Sequence, residues 1–359
     1  MRGIYQCYLV FIVCLILLHF LYLILQESIK PDDYRVTKSV PKYILMYEVP
    51  PWMKILPIVN LDVECVVTSD KNYFPDLRKF DAVVFSGSKP WSADEIFPSV
   101  RSPHQYYVLA EHESPFFAMH KFSVDISKYN LTMTHRRDSD IYWPYGFISN
   151  QSIDYVSELV APLWKTPKTA AWFVSNCNAR SKRNEVVSSL QQHVDIDVYG
   201  KCGTLKCERT DEQQCYKLVE EEYFFYFSFE NSLCKDYLTE KVFNIMKYFV
   251  VPVVFGGANY SHFLPPQSYI DANDFATAKD LANFLRNLAN NPEEYIKYFW
   301  WKSHYKTLST RITLNNLCKK LHEFTSDVNE GQFVRIYKNI SSWLNDNQYC
   351  LRVERLKGG

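Results

Sequence analysis

Two patterns of apolar residues alternate along most of the chain. Short runs of β-branched and aromatic residues, each bounded by polar positions, predict eight strands, at residues 42–49, 62–69, 81–87, 105–112, 168–176, 195–200, 223–230 and 250–256. Between them, apolar residues at helical spacing predict helices at 180–193, 239–249 and 277–290. Strand and helix alternate in two blocks, which is typical of parallel sheets. We therefore expect an α/β fold with two parallel-sheet domains that face each other across a cleft.

A third pattern occupies the N-terminus, where residues 3–25 contain no Asp, Glu, Lys or Arg. As a helix this segment would extend roughly 35 Å, enough to cross a bilayer with some tilt. A cleaved signal peptide would have a shorter apolar region followed by a small-residue cleavage site, and the sequence LILQESIK offers neither. We expect a transmembrane signal anchor at 3–25, with residues 1–2 in the cytosol, a stem at 26–41 and the body of the protein in a lumen.

The two blocks give the expected domain boundaries beyond the stem. We expect a first Rossmann-like domain at 42–160, a linker at 161–168 that contains two prolines, and a second Rossmann-like domain at 169–313. Residues 314–359 are expected to form helices that return to the first domain. Ligands of such sheets bind past the carboxyl ends of the strands, so the site is expected between the two domains.

Charge and motif content exclude several classes of function. Acidic and basic residues balance at 40 each, so nothing favours a nucleic-acid partner. Neither block contains a GxGxxG or GxxxxGK(S/T) sequence, which disfavours a dinucleotide-dependent dehydrogenase and a P-loop enzyme. Aromatic residues make up 16% of the chain, and most of them are expected in the core rather than on a sugar-stacking surface.

The cysteines and sequons fit an oxidising compartment. Four cysteines lie close together in the second block, and without a CxxC pair or a nearby HxxxH they favour disulfides over zinc: Cys202, Cys207, Cys215 and Cys234. We expect two bonds among these four, with the pairing left open. Four sequons are expected to carry N-glycans: Asn130, Asn150, Asn259 and Asn339.

Polar side chains follow two predicted strands of the second block. Arg183, Lys241 and the N-terminus of the helix that contains Lys241 would form an anion site suited to a pyrophosphate. Glu240 could accept hydrogen bonds from ribose hydroxyls, as an acid does in dinucleotide-binding folds. Tyr226 and Tyr237 could pack against a base or a sugar.

A strand end in the first block carries Glu113, in the stretch AEHESP at 110–115. This acid would lie across the cleft from a ligand bound to the second block. Opposite a bound sugar nucleotide it could act as a general base toward a reacting hydroxyl.

Several stretches resemble, in the same order, the α1,3/α1,4-fucosyltransferase family, which uses GDP-fucose. They are EHESP, YNLTMTHRRDSDIYWPYGF, AAWFVSNCNARSKR, FYFSFENSLCKDYLTEK, VVPVVFGGANYSHFLPPQSYID and LRNLANNPEEYIKYFWWK, and they cover roughly residues 103–302. The resemblance implies a GT-B type fold, with an acceptor-side first domain and a second domain that binds GDP-fucose. Its donor-binding positions match Ser175, Asn176, Arg183, Tyr226, Asn231, Tyr237, Glu240 and Lys241.

The resemblance also implies a mechanism, in which fucose moves with inversion from GDP-β-L-fucose to a GlcNAc hydroxyl in α1,3 linkage. Glu113 matches the family's proposed base, and GDP leaves without a general acid. No cofactor or metal is then required, although some stimulation by Mn²⁺ is compatible with this site. The implied location is the Golgi membrane, as a single-pass type II protein with a lumenal catalytic domain. We also expect Cys65, beside a first-block strand, to pair with Cys318 on a late helix, as the resemblance supports.

Other interpretations stay open at this point. A metal-dependent glycosyltransferase would use a DxD motif, and Asp138-Ser-Asp140 and Asp195-Ile-Asp197 have that pattern. A lectin-like, inactive homologue would keep the binding residues without turnover. The acceptor could be an N-glycan core GlcNAc, a LacNAc antenna or LacdiNAc. Residues 86–91, SGSKPW, differ from the His- and Arg-rich acceptor motif of many vertebrate family members.

Overall fold

The computed structural model describes residues 19, 40–47, 64–87, 101–118, 129–150, 168–207, 211–309, 312–327, 343 and 349–350. The chain forms two compact units, Met1–Val40 and Pro41–Gly359, and the strands and helices below all lie in the second. Of the helices in the described ranges, none has both the length and the apolar character needed to cross a membrane. The anchor predicted at 3–25 lies outside the described residues except for His19.

The strands of the described ranges form three sheets. In chain order they are β1 Lys42–Tyr47, β2 Cys65–Thr68, β3 Ala82–Ser86, β4 Tyr106–Glu111, β5 Leu131–Thr134, β6 Ile141–Tyr142, β7 Gly146–Asn150, β8 Lys168–Phe173, β9 Ile196–Tyr199, β10 Tyr223–Phe229, β11 Val251–Phe255, β12 Ile270–Asp271 and β13 Tyr305–Ser309. The first six form a parallel sheet in the order β2-β1-β3-β4-β5-β6. A second parallel sheet has the order β12-β11-β10-β8-β9, and β7 pairs antiparallel with β13.

The helices of the described ranges flank these sheets. They are α1 Pro115–Ala118, α2 Arg183–Leu190, α3 Glu212–Glu222, α4 Glu240–Ile245, α5 Ala278–Ala289, α6 Pro292–Lys297 and α7 Ile312–Asp327. Thr277 begins α5 as its N-cap, because its side chain accepts a hydrogen bond from the main-chain N of Asp280. α7 packs on the first sheet through the buried Leu317 and Leu321.

Both parallel sheets have the same strand order. In each, the second strand along the chain lies at one edge, the first strand lies beside it, and the later strands continue on the other side. The chain therefore turns in opposite directions from two adjacent strands, which are β1 and β3 in the first sheet and β8 and β10 in the second. Doubly wound sheets bind ligands in the crevice past the carboxyl ends of such a pair. The topology alone thus marks the ends of β8 and β10 as a binding position.

β10 is buried on both faces, as a central parallel strand usually is. Phe225, Phe227 and Phe229 pack on the side of α2 and α5. Tyr226, at the alternate position, packs with Tyr216 of α3 on the other side. This alternation places Tyr226 on the side of the sheet where α3 and α4 lie.

The eight predicted strands and three predicted helices are all present, each within its predicted range. The elements that were not predicted are β5, β6, β7, β12, β13, α1, α3 and α6. Most of these strands are short and carry polar residues, and α3 buries only three of its eleven residues, Cys215, Tyr216 and Val219. The linker was predicted at residues 161–168. Residues 151–167 lie outside the described residues and Lys168 begins β8, so the domain boundaries stay predictions.

Four disulfides join the described cysteines: Cys65–Cys318, Cys177–Cys202, Cys207–Cys215 and Cys234–Cys350. The first is the pair that the sequence analysis expects, and it ties α7 to β2. The expectation of two bonds among the four clustered cysteines is wrong, because only Cys207 and Cys215 pair with each other. Cys202 bonds 25 residues back and Cys234 bonds 116 residues ahead, to partners that only the tertiary fold brings near.

Candidate active site

A cavity of about 290 Å³ lies past the carboxyl ends of β8, β9 and β10. Its lining includes most of the predicted site residues, namely Glu113, Ser175, Asn176, Arg183, Tyr226, Asn231, Glu240 and Lys241. Ser175 follows β8 and Asn231 follows β10, so the cavity occupies the crevice that the strand order marks. Glu113 is the contribution of the first sheet, two residues past the end of β4.

Arg183 is the first residue of α2 and is only 3% exposed. Its guanidinium donates to the carbonyl oxygens of Phe229 at 2.6 Å and Asn176 at 3.3 Å, which fixes its position between β8 and β10. Burial lowers the pKa of Arg183, and the carboxylate of Glu230 opposes that shift. An arginine keeps its proton in proteins, so a fixed positive charge borders the cavity.

Lys241 carries the second positive charge, held by a buried acid. Its Nζ lies 3.2 Å from Oε2 of Glu230 and 2.7 Å from the hydroxyl of Thr239. Glu230 is fully buried, and it also accepts from the main-chain N and the hydroxyl of Thr239, both at 2.8 Å. Burial alone would lower the pKa of Lys241, but the carboxylates of Glu230 and Glu240 raise it above its usual value.

Glu230 was not among the predicted site residues, although it is the last residue of a predicted strand. Burial raises the pKa of Glu230, while the Lys241 ammonium opposes that shift. A glutamate is unusual at the end of a run of buried aromatic residues, because charged residues are rarely buried without a partner. Its place in that run could therefore have indicated that Glu230 pairs with a nearby cation.

Glu240 begins α4, and its side chain is half exposed. Burial raises the pKa of Glu240, but Lys241, 3.3 Å from Oε1, and local hydrogen bonds lower it overall. Glu240 is therefore a charged acceptor at neutral pH. α4 has only six residues, so its N-terminus is a small part of the anion site beside Arg183 and Lys241.

Tyr237 is buried beside Glu113. It is 1% exposed and is not among the residues that line the cavity, so its predicted contact with a base or sugar stays a prediction. Its phenol oxygen instead donates to Oε2 of Glu113 at 3.1 Å. Burial, reinforced by the charge of Glu113, raises the pKa of Tyr237 well above its usual value, which keeps the phenol protonated as a donor.

Glu113 is held by further contacts from both sheets. Its main-chain N donates to the side chain of Glu111 at 2.7 Å. The next residue, Ser114, shares a 2.8 Å hydrogen bond with Ser232 in the loop after β10. The carboxylate of Glu113 therefore has a defined place beside the cavity.

Asn231 supplies a polar group without a partner in the described part of the structure. Its Oδ1 is buried at the cavity and accepts no hydrogen bond there. A buried acceptor left in this state is costly, and a ligand that donates a hydrogen bond would relieve it. Ser175 is exposed at the cavity, whereas Tyr226 is buried and contributes little surface.

The two DxD sequences are used in structural contacts. The carboxylate of Asp138 pairs with Arg136 at 2.7 Å, and Asp140 accepts from the main-chain N and hydroxyl of Thr132, both at 2.8 Å. Asp197 accepts from the phenol of Tyr223 at 2.6 Å and from Lys168 at 2.9 Å. None of these aspartates lines the cavity, so the DxD interpretation has no support at this site.

The sequons differ in accessibility. Asn130 is 1% exposed, and its Oδ1 accepts hydrogen bonds from the main-chain N of Tyr107 at 2.7 Å and from Arg101. A glycan on Asn130 is incompatible with this packing, so that prediction is corrected. Asn150 and Asn259 are exposed, and Asn339 lies outside the described residues.

Comparison with known proteins gives two family matches. The model described as "Fucosyltransferase, N-terminal" matches residues 41–146. The model described as "Glycosyltransferase family 10 (fucosyltransferase) C-term" matches residues 163–343. Between them they include every residue of the cavity lining.

Three curated relatives have similar sequences. Alpha-(1,3)-fucosyltransferase C of Drosophila melanogaster is 41% identical over 298 residues, which are 78% of this chain and 69% of the relative. Glycoprotein 3-alpha-L-fucosyltransferase A of the same organism is 36% identical over 62% of this chain and 44% of the relative. Alpha-(1,3)-fucosyltransferase fut-1 of Caenorhabditis elegans is 36% identical over 58% of this chain and 49% of the relative. The chain thus spans about half the length of the second and third relatives.

A solved structure shares the fold. It is described as a crystal structure of alpha1,3-fucosyltransferase with GDP, and it matches with a TM-score of 0.51 at 14% identity. The match covers 82% of this chain and 92% of that one.

Proposed function

We propose that this chain transfers L-fucose from GDP-β-L-fucose in α1,3 linkage to a GlcNAc-type residue of a glycan. The chain belongs to the fucosyltransferases of glycosyltransferase family 10. The family membership confirms the resemblance seen in the sequence, and the enzyme class is that of an α-(1,3)-fucosyltransferase. One observation carries the proposal: Arg183 and Lys241 line the same cavity as the carboxylate of Glu113.

In this proposal the two cations bind the pyrophosphate of the donor. Arg183 is locked to main-chain carbonyls, so it is preorganised and loses little side-chain entropy on binding. Lys241 is anchored by Glu230, yet a fifth of its side chain stays exposed toward solvent. Glu240 would accept hydrogen bonds from the ribose hydroxyls. The buried Oδ1 of Asn231, which has no partner in the described part of the structure, would accept a hydrogen bond from GDP-fucose. Ser175 and Asn176, after β8, complete the donor site.

The chemistry is a single displacement with inversion. The acceptor hydroxyl attacks the anomeric carbon of fucose while the bond from that carbon to the β-phosphate oxygen breaks. Glu113 takes the proton of the attacking hydroxyl, which is the general-base half of an inverting scheme. The charge that develops on the departing GDP is stabilised by Arg183 and Lys241. A nucleoside diphosphate is a good leaving group, so the scheme uses no general acid, no cofactor and no metal.

The larger architecture is also part of the proposal. We place the two parallel sheets in two Rossmann-like domains of GT-B type, with the boundaries given above, and residues 3–25 in the Golgi membrane. The disulfides support a lumenal body, because such bonds persist in oxidising compartments. If this topology is right, protease added to sealed Golgi vesicles leaves the body of the chain intact until detergent is present. Digestion before detergent would overturn it.

The decisive experiment is transfer itself. The full chain in detergent is incubated with GDP-fucose and a panel of glycans that display core GlcNAc, LacNAc and LacdiNAc, and the linkage of each product is determined. The expected product is an α1,3-fucoside on one of these classes. Binding of GDP without transfer to any glycan would favour an inactive, lectin-like protein instead.

A further inference from the structure

One part of the cavity has no role in the proposed chemistry. Its lining there is aromatic: the ring of Phe173 lies 5.2 Å from that of Tyr199, 5.6 Å from that of Tyr216 and 5.3 Å from that of Tyr226, measured between centroids. The disulfide Cys207–Cys215 lines the same region. The rings of Tyr199, Tyr216 and Tyr226 are inclined to that of Phe173 by 70°, 40° and 83°. An aromatic, apolar wall of this kind suits packing against a nucleobase, which offers a π-face whatever its identity.

A single carboxylate lies beside this aromatic region. Glu212 is the first residue of α3 and also lines the cavity, four positions before Tyr216 and hence on the same face of the helix. Its Oε1 accepts a 3.0 Å hydrogen bond from the side-chain amide of Asn244. The side chain of Glu212 is otherwise exposed, so it has no place in the core.

The contact with Asn244 locates Glu212 relative to the phosphate-binding residues. Asn244 is on α4, three positions after Lys241 and four after Glu240, which is about one helical turn or roughly 5–6 Å along the axis. A nucleotide whose pyrophosphate meets Lys241 and whose ribose meets Glu240 would extend its base along α4 toward Asn244. The base would then reach the aromatic region with its edge toward Glu212.

We propose that Glu212 is a specificity-determining residue that selects guanine, with Phe173, Tyr216 and the Cys207–Cys215 disulfide forming the slot for the base. The inference rests on the proposed function, because it takes the pyrophosphate position from there. An ionised carboxylate only accepts hydrogen bonds. The Watson–Crick edge of guanine presents two adjacent donors, N1–H and the 2-amino group, which match two carboxylate oxygens.

Other bases meet this carboxylate less well. Hypoxanthine keeps N1–H but lacks the 2-amino group, so one hydrogen bond is lost. Adenine presents an unprotonated N1 with a lone pair that repels the carboxylate. The wild-type protein should therefore bind GDP more tightly than IDP, and IDP more tightly than ADP.

The test is calorimetry of GDP, IDP and ADP binding to the full chain and to two variants. Glu212→Gln replaces the acceptor with an amide, which both donates and accepts. The affinity for GDP should fall about 10- to 100-fold, the range for one hydrogen bond to a charged group, and the affinity for ADP should change little or not at all. Glu221→Gln is the matched control, because it removes the same charge from an exposed position of the same helix outside the cavity. It should leave all three affinities unchanged.

The outcomes separate this inference from the proposed function. If the wild-type protein binds GDP and Glu212→Gln preserves the preference for GDP over IDP and ADP, the role of Glu212 is overturned while the function stands. If the wild-type protein binds none of the three diphosphates, the donor site itself is wrong. A collapse of the preference in Glu212→Gln alone, with melting temperatures equal across the variants, supports the inference.

Discussion

The phenol of Tyr237, on the loop after β10, donates a hydrogen bond of 3.1 Å to Oε2 of Glu113, on the loop after β4. One oxygen of the carboxylate is therefore engaged by a neutral donor that comes from the other sheet. Among the described residues no hydrogen bond is made to the second oxygen, which in the proposed mechanism would accept the proton of a substrate hydroxyl.

Replacing Glu113 by Gln should stop proton abstraction and leave donor binding intact. We expect kcat to fall roughly 10²- to 10⁴-fold, the usual contribution of a general base. Affinity for GDP, measured by calorimetry, should stay near the wild-type value, because the binding cations are untouched. Tyr237→Phe is the companion variant, with a smaller fall in kcat and the same GDP affinity. Normal turnover by Glu113→Gln would remove it as the base.

Replacing Arg183 by Ala should act on both binding and catalysis, because the pyrophosphate is held before and during departure. We expect a higher KM for the donor together with a lower kcat. GDP binding should weaken by about 1.5–3 kcal/mol, the range for a lost charged hydrogen bond. Melting curves are the necessary control, since Arg183 also bonds to the carbonyls of Phe229 and Asn176. A wild-type donor KM in a folded Arg183→Ala variant would contradict the assignment.

Chelation of divalent metal should not abolish activity. The charge of the leaving GDP is met by Arg183 and Lys241, and the DxD aspartates are used elsewhere. Transfer rates in EDTA and in Mn²⁺ should differ only modestly. The variant Asp138→Asn should keep the wild-type response to Mn²⁺. Complete loss in EDTA that Mn²⁺ restores would favour the DxD interpretation.

Two disulfides close long loops, and breaking them should have different consequences. The chain-entropy treatment gives each a stabilising effect of about 5 kcal/mol. Replacing Cys65 and Cys318 together by Ala should lower the melting temperature and leave the donor KM unchanged. Replacing Cys234 and Cys350 should also raise the donor KM, because this bond and the 2.7 Å hydrogen bond from Lys235 N to Tyr349 O hold the loop before α4. Equal donor KM values in the two variants would refute the distinction.

Two buried histidines should make the protein sensitive to acid. Burial lowers the pKa of His112 to about 3 and that of His135 to about 3. In the unfolded chain each titrates near its ordinary value of about 6.5, so between these limits the unfolded state binds more protons. The stabilising effect is complete above about pH 6.5 and is lost as the pH falls toward 3, by about 1.4 kcal/mol per histidine per pH unit.

Urea unfolding at several pH values measures this slope. The variant His135→Asn keeps a side-chain donor for the carbonyl oxygen of His112, which His135 Nδ1 contacts at 3.1 Å. Its stability should depend less steeply on pH between 4 and 6, by about 1.4 kcal/mol per pH unit. An unchanged slope would show that His135 is not protonated differently in the two states.

The two parallel sheets and most of the proposed donor site could be predicted from the sequence, because both depend on the local pattern of apolar and polar residues. Runs such as 223–230 are too rich in aromatic and β-branched residues to be anything but buried strands. Arg183, Glu240 and Lys241 could be named because they lie where the next predicted helix begins after such a strand. Their convergence on one cavity is then a consequence of parallel pairing.

Other features could not be predicted because they depend on distant contacts. Nothing near Cys234 in the sequence indicates Cys350 as its partner, and nothing near Asn130 indicates that the side chain is buried under Arg101. Tyr237 lies in a polar stretch typical of a binding loop, yet it bonds to Glu113 on the other sheet. Contacts of this kind join residues that are far apart in the sequence, so they are determined by tertiary packing rather than by local pattern.

The bond between Cys234 and Cys350 also sets an order of events during synthesis. A ribosome delivers residue 234 well before its partner, because 116 residues separate them. The loop before α4 therefore stays without this covalent bond while the residues between the two cysteines are translated. A nonsense codon placed just upstream of position 350 would release a polypeptide that retains every residue of the cavity but lacks the tether. Formation of this bond therefore has to wait for Cys350, which enters the chain 116 residues after Cys234.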